Sequence, residues 1–316
     1  MEFIKSKIKL AVLVFVVFTG TNCAADPFTM EISTSQAHIK VGEPLLISLV
    51  RHHQEPQISE VTGYVKSSIN ARHFHLEVLD ANDKSIKKAY KPMPIRLMLQ
   101  GTKGLEYKGA FDVFYDDSVG LVFDKPGIYN VCLLSPSGKY SSNSLEIMIE
   151  PPSEAEEKAL SFFAGVEDFA FLMGGIFKNE QTVSHLGQAA DRSGDTILGK
   201  WSAARLGIEY FKEFHKQHRS FEKFKAKKQK NEVDSLLFDK AYDYLKKGSA
   251  LPDEFSIRGE VLDNLIVTEY INGNYQKAIR LAEELESKYP YSEYGQKASR
   301  AKKELRELEE AEKGKK

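Results

Sequence analysis

Two cysteines and one tryptophan are all that 316 residues hold of those types. Cys23 falls in the leader described below, so Cys132 is the only thiol of the expected mature body. A single thiol cannot close an internal disulfide, which excludes a disulfide-stapled scaffold and leaves burial as the source of stability. Charge is as balanced as cysteine is scarce: 44 basic against 45 acidic residues give a net of -1, which excludes a global attraction to nucleic acid. No Asn-x-Ser/Thr acceptor occurs, and no HExxH, GxSxG or CxxC pattern. With no nucleophile and base paired by spacing, the expected class is not an enzyme, and no cofactor is implied. The longest uncharged apolar run, Leu10 to Phe18, is far short of the ~20 residues that span a bilayer as a helix.

That run is informative because Lys5, Lys7 and Lys9 precede it and Thr19-Gly-Thr-Asn-Cys-Ala-Ala25 follows it. A basic head, a short apolar core and small polar residues are the layout of an export signal over 1–25. Two endings stay open. Cleavage after Ala25 would release a soluble protein beginning at Asp26. Alternatively Cys23, whose position resembles the modified cysteine of a bacterial lipoprotein signal, takes a lipid and tethers the protein to a membrane. Either ending implies an extracytoplasmic location, periplasmic or secreted.

Between 26 and 152 apolar residues recur at every second position: Leu45, Ile47, Leu49; Phe74, Leu76, Val78; Ile95, Leu97, Leu99; Leu145, Ile147, Ile149. Period two predicts strands with one buried face each. Breakers such as Gly42-Glu-Pro44, Asp80-Ala-Asn-Asp83, Gly101-Thr-Lys-Gly104 and Ser135-Pro-Ser-Gly138 separate the runs, and about eight short strands at such spacing fit an antiparallel sandwich. In Asp124-Lys-Pro-Gly-Ile-Tyr-Asn-Val131 a Pro-Gly turn sets Tyr129 at the start of a strand, a pattern that resembles the tyrosine corner of immunoglobulin-like modules. Val41 to Leu49 and Ser142 to Pro152 are similar to the first and last strands of the bacterial branch of that family. The resemblance implies an immunoglobulin-like sandwich in which the Tyr129 hydroxyl bonds back to upstream backbone, a structural role. No early cysteine stands opposite Cys132, and Trp201 lies outside this half, which separates it from antibody domains.

Pro151-Pro152 ends the last strand, and Ser153 with Glu156 three residues on has the spacing of a capping box. From there the period lengthens. Phe162, Phe163, Val166, Phe169, Ala170 and Met173, then Leu206, Tyr210, Phe211 and Phe214, recur at three and four, so 153–310 reads as helices with a charged tail at 311–316. Gly273-Asn-Tyr-Gln-Lys-Ala-Ile-Arg-Leu-Ala282, continuing to Pro290, resembles the second helix of a tetratricopeptide repeat. Gly273-Asn274 closes the turn, Tyr275 starts the helix, and small Ala278 and Ala282 admit a close neighbour. The preceding helix, Ile257 to Ile271, carries Leu265 in register but Ile266 and Glu269 where the family has a small and an aromatic residue. Asp239 to Lys247 before Pro252 echoes the pattern upstream, Trp201 to Tyr210 shares its small-residue style, and Ser292 to Leu308 would be the terminal helix. The resemblance implies a surface offered to a protein or peptide.

Groups able to do chemistry are few. His73 and His75, with Glu77, share one face of a strand, either as a weak surface site or as a solvated face; a metal needs a third or fourth ligand that the spacing does not supply. His52 and His53 are adjacent and point to opposite faces. His215 and His218 lie at helical i, i+3 with no third ligand. Gly194 to Lys200 mimics a phosphate loop but has Trp201 where a hydroxyl must follow the lysine, and no strand before it. Cys132 sits between Val131 and Leu133, as an inert core thiol would. From Lys212 to Lys230 basic residues interleave with Phe211, Phe214, Phe221 and Phe224: either a grip on an acidic polymer, or a buried aromatic stripe under solvated lysines. The tail from Lys302 on reads as a frayed, solvated helix end.

The expectation is therefore a β + α chain of two domains, an antiparallel immunoglobulin-like sandwich followed by an all-helical tetratricopeptide-like repeat domain. Its expected role is as a non-catalytic binding or scaffold protein of the cell envelope. Tyr244, Tyr270, Tyr275 and Tyr291 are the candidate anchors for a protein partner, because aromatic side chains concentrate binding energy, with core packing as the competing role for each. The alternative is a carbohydrate or cell-wall binding module on the sandwich, with His73 and His75 at its face.

Overall fold

The computed structural model describes residues 28–53, 75–80, 85–90, 106–116, 120–135, 140–175, 178–218, 220–229, 235–289 and 293–313. The leader with Cys23, the histidine His73, the 95–99 run and Tyr291 all lie outside the described residues. No helix among the described residues is long and apolar enough to cross a membrane.

Among the described residues, the regular elements of the first half are all strands. Strands β1 (Phe28–Ser33), β3 (Leu45–His53) and β6 (Glu106–Val113) form one sheet in the order β1-β3-β6. A second runs β2-β10-β9-β4-β5, built from β2 (His38–Lys40), β10 (Leu145–Glu150), β9 (Gly127–Leu134), β4 (His75–Asp80) and β5 (Ser85–Tyr90). Short strands β7 (Tyr115–Asp116) and β8 (Gly120–Leu121) pair with each other. The two larger sheets enclose one apolar core: Ile32, Leu45, Ile47, Leu49 and Val113 from the first meet Ile39, Leu76, Val78, Val131, Leu133, Ile147 and Ile149 from the second.

The expectation of a purely antiparallel arrangement is corrected at one edge. β2 pairs with β10 in parallel, Met148 opposite His38 and Glu150 opposite Lys40. β3 to β9 lie between β2 and β10 in sequence and supply the long connection that a parallel pair requires. A second correction concerns burial. Period two assigns one buried face per strand, yet where Leu46 of β3 pairs with Asp112 of β6 both faces are buried: these two point away from the strand core, and Leu46 joins the helical core instead, while Ser48 on the same face of β3 is exposed.

Nine helices follow among the described residues: α1 (Glu154–Leu160), α2 (Val166–Gly174), α3 (Glu180–Arg192), α4 (Ile197–Gln217), α5 (Phe221–Gln229), α6 (Leu236–Gly248), α7 (Ser256–Ile271), α8 (Tyr275–Lys288) and α9 (Glu293–Lys313). Ser153 closes the capping box read from sequence, its Oγ accepting from Glu156 N at 3.4 Å while Glu156 Oε2 accepts from Ser153 N at 2.7 Å. The 162–173 periodicity does not belong to one helix. α1 ends at Leu160, Phe162 and Phe163 lie in a turn, and α2 begins after Gly165, burying Ala170, Phe171 and Leu172 while Val166 is exposed. α9 likewise runs farther than a frayed end would: it packs on α8, burying Ala298 and Leu305, and Arg306 reaches Glu283 at 2.8 Å.

The halves meet in an aromatic seam. Phe114, between β6 and β7, and Tyr115, which starts β7, are buried among helical residues; Phe114 lies 5.7 Å from Phe169 and 5.2 Å from Trp201, and Tyr115 stacks on Phe169 at 4.8 Å. Lys40 of β2 pairs with Glu156 of α1 at 3.0 Å. Gly42, at φ +82°, lets Leu160 pack where a Cβ would lie 2.6 Å from its Cδ1.

Candidate functional site

The structure separates the candidate tyrosines. Tyr270, near the end of α7, and Tyr275, at the start of α8, flank the sharp turn at Gly273 (φ +78°), and their rings approach edge to face at 5.9 Å. Lys225 of α5 lies 4.8 Å from the Tyr270 ring centroid and 4.4 Å from that of Tyr275, and its ammonium donates to the Tyr275 hydroxyl. Charge held over two aromatic faces is favourable when water is excluded, so this lysine is packed inside rather than solvated, unlike the expectation for its run. Tyr275 is itself buried. Its ring and hydroxyl are engaged within the fold, whereas Tyr270 keeps one side open.

That open side is the wall of a groove of about 180 Å³ between α5, α7 and α9, lined by Phe221, Ile266, Val267, Tyr270, Leu305 and Leu308, with Glu222 and Glu304 among its edges. Leu308 is 42% exposed, the largest such departure on α9. The α9 stripe thus turns from core at Ala298 and Leu305 to groove edge at Leu308.

Tyr244 belongs elsewhere. It stacks on Tyr210 of α4 at 5.9 Å and its hydroxyl donates to Asp191 of α3 at 3.3 Å, tying three helices together. Burial first, then Asp191, pushes the phenol up to about 12, so it stays a donor across the physiological range.

Beneath the Tyr275 turn lies Glu269, where the repeat resemblance implies an aromatic. Its side chain is fully buried, yet it accepts from Tyr242 of α6 and from Asn274, both at 2.8 Å, and pairs with Lys277 of α8. Burial works against its charge, but hydrogen bonds from Lys277, Asn274 and Tyr242 outweigh that and hold the carboxyl below its ordinary value. A polar tie replaces aromatic packing between α6, α7 and α8.

Sequence reasoning missed one further pair. His185 of α3 lies 2.8 Å, Nδ1 to Oδ2, from Asp168 of α2, whose carboxylate also accepts from Ala164 N at 2.7 Å. The pair borders a cavity of about 220 Å³ with Glu167, Asn179, Gln181 and Thr182. Seventeen positions separate the two, which lie on different helices, so no spacing rule could have joined them; the Asp168 bond to Ala164, one turn back, is also what a helix start requires.

No protein-family model matches the chain, and comparison with curated proteins gives no match. The site must be read from its own chemistry.

On the strand half, His75 and Glu77 share a face as expected, with His75 Nδ1 buried and without a hydrogen-bond partner among the described residues. Cys132 is opposite Glu77 and half-buried on that same face, its thiol donating to Glu77 Oε2 at 3.8 Å, so it is not a core thiol. Burial, then Glu77, pushes the thiol up, which disfavours the reactive thiolate. Among the described residues no group of three histidine, cysteine or acidic side chains is placed to hold a metal. The Gly194 to Lys200 stretch is a short helix-to-helix turn that runs into the first turn of α4: α3 precedes it, and Thr196 caps α4 by accepting from Gly199 N at 3.0 Å. His215 and His218 lie against phenylalanine rings at the end of α4, 5.1 Å from Phe221 and 4.7 Å from Phe224 respectively.

Proposed function

We propose that the chain is an exported, non-catalytic docking protein of the cell envelope whose helical half seats a segment of a protein partner in the groove between α5, α7 and α9. The observation that carries this is the apolar groove wall of Phe221, Ile266, Val267, Tyr270 and Leu308, left open on helices whose other apolar faces are covered. Glu222 and Glu304 beside it favour a segment with an apolar side chain flanked by lysine or arginine. Of the three candidate anchors among the described residues, Tyr270 is the one on this wall.

This reading takes the two sheets as an immunoglobulin-like sandwich and α6 to α9 as degenerate tetratricopeptide-like units. Support for the first is the Tyr129 hydroxyl, which donates to the Lys125 carbonyl at 2.9 Å, four residues upstream, as a tyrosine corner does. Support for the second is the Gly273 turn with Ala278 and Ala282 buried where α8 meets its neighbours. Export rests on the leader, and Cys23 is the position through which a lipid would tether the protein.

Selection of a random peptide display library on the full mature chain tests the groove. Expected winners pair an apolar anchor with basic flanks and lose at least about tenfold in affinity on Leu308→Glu, a change on an exposed position that leaves the core alone. Peptides that bind Leu308→Glu as well as the native chain, or a selection that enriches nothing, would overturn the proposal.

A further inference from the structure

The basic run contains a second site that the groove does not use. Between the end of α4 and the start of α5 lies a cavity of about 350 Å³ lined by Lys216, Gln217, His218, Ser220, Lys223, Phe224 and Lys227, with no carboxylate in its wall among the described residues. Lys223 and Lys227 are four residues apart on α5 and so share one face, with Lys216 contributed by α4.

Neighbouring lysines are otherwise engaged. Lys212 pairs with Glu209 at 2.9 Å, Lys228 with Asp239 at 3.2 Å, and Lys225 rests on the tyrosines. Lys216 has one loose partner, Glu213 at 4.0 Å, outside the cavity. Lys223 and Lys227 have no carboxylate partner among the described residues. Among the described residues of the run, the two lysines with no carboxylate partner and the one with only a loose partner thus converge on one concavity.

The setting is also rigid. His218 is held between Phe214 at 5.1 Å and Phe224 at 4.7 Å, and both phenylalanines are buried. Its imidazole is therefore fixed at the cavity wall as a hydrogen-bonding group and not free to swing. Ser220 caps α5 by accepting from Lys223 N at 3.3 Å and donates to Glu222 at 3.1 Å, which turns that acid to the cap. The aromatic stripe and the basic grip, alternatives in the sequence, coexist: phenylalanines pack below, and three ammonium groups stand above.

We propose that this cavity binds a phosphate-bearing ligand. Three ammonium groups around one small cavity over-neutralise a single carboxylate, but match the charge and the several acceptor oxygens of a phosphate ester or pyrophosphate. The phosphate reaches the site either free in solution or on a lipid headgroup, and the chemistry in the cavity is the same for both.

The test uses the full mature chain with inorganic pyrophosphate in calorimetry, and with vesicles of phosphatidylglycerol and phosphatidylcholine against phosphatidylcholine alone in co-sedimentation. Pyrophosphate binding marks a free phosphate as the ligand source, and binding confined to the anionic vesicles marks a headgroup. In either case Lys223→Ala/Lys227→Ala should weaken binding at least about tenfold. The charge-matched control Lys158→Ala/Lys303→Ala, on exposed positions of α1 and α9, should leave it within about twofold. Binding of neither probe overturns the site, as does equal weakening by both double variants, which would mean diffuse attraction instead of a cavity. Leu308→Glu should not change these results, so this site and the peptide groove fail independently.

Discussion

The ring of Phe114, carried by the strand half, sits 5.2 Å from the ring of Trp201 on α4, and both are almost fully buried. Trp201 packs in turn against Phe255 at 5.8 Å, so a continuous aromatic path runs from the β6 end into the centre of the helical core. The two halves therefore bury surface against each other as well as within themselves.

Truncating Phe114 opens that path. Phe114→Ala should cost about 3–5 kcal/mol, the usual range for deleting a buried phenylalanine. Since Trp201 is the chain's single tryptophan, its fluorescence reports on the seam directly. A urea titration of the variant should show a red-shifted native emission and a lower midpoint. An unchanged emission and midpoint would mean that the halves are coupled elsewhere.

The contact between α4 and α6 rests on missing side chains. A Cβ on Gly207 would lie 2.6 Å from the Leu245 backbone nitrogen, and one on Gly248 would lie 2.5 Å from the Ala204 Cα. Alanine normally gains about 1 kcal/mol over glycine inside a helix. Here the backbones would have to part, and Gly207→Ala should instead destabilise by about 1–3 kcal/mol. Gly187→Ala is the internal control: its nearest neighbour is the Tyr244 hydroxyl at 3.6 Å, ordinary contact, so it should be neutral or stabilising. Thermal unfolding of the two variants side by side checks the opposite signs.

Local patterns were legible where one chemical rule decided them. The Ser153 cap, the turn at Gly273, the Tyr129 bond to Lys125 and the buried alternation of Leu45, Ile47 and Leu49 all follow from residues a few positions apart. Features set by distant partners were not. Leu46 reads as a solvent-facing strand position until the helical half covers it, and Lys225 reads as a solvated lysine until Tyr270 and Tyr275 close over it. The parallel β2–β10 edge joins residues more than a hundred positions apart, beyond any periodicity. The same holds for the site. Tyr270 was legible as an aromatic on a helix, whereas the groove it lines needs α5 and α9 in place.

Two buried carboxyls should give the fold opposite responses to pH. Asp112, on the β6 face turned from the strand core, is pushed up to about 7 by burial alone, and its Oδ1 has no hydrogen-bond partner among the described residues. Against about 3.9 in the unfolded chain, the folded state holds the proton between about pH 4 and 7 while the unfolded state has lost it. Unfolding there releases a proton, so stability falls as pH rises through that window, by at most about 1.4 kcal/mol per pH unit, and levels off above it. Glu269 has the contrary sign. Its folded carboxyl is held below the ordinary value, so its contribution is present above about pH 4.3 and is lost as pH falls through the folded value. Urea midpoints measured from pH 3 to 8 should show Asp112→Asn flattening the decline between pH 5 and 7 while leaving the acid limb intact. Glu269→Gln should do the reverse, softening the acid limb and lowering stability near neutrality by about 1–3 kcal/mol as Lys277, Asn274 and Tyr242 lose a charged acceptor. An Asp112→Asn protein that keeps the native slope between pH 5 and 7 would show that this carboxyl is ionised in the fold and that another group sets the response.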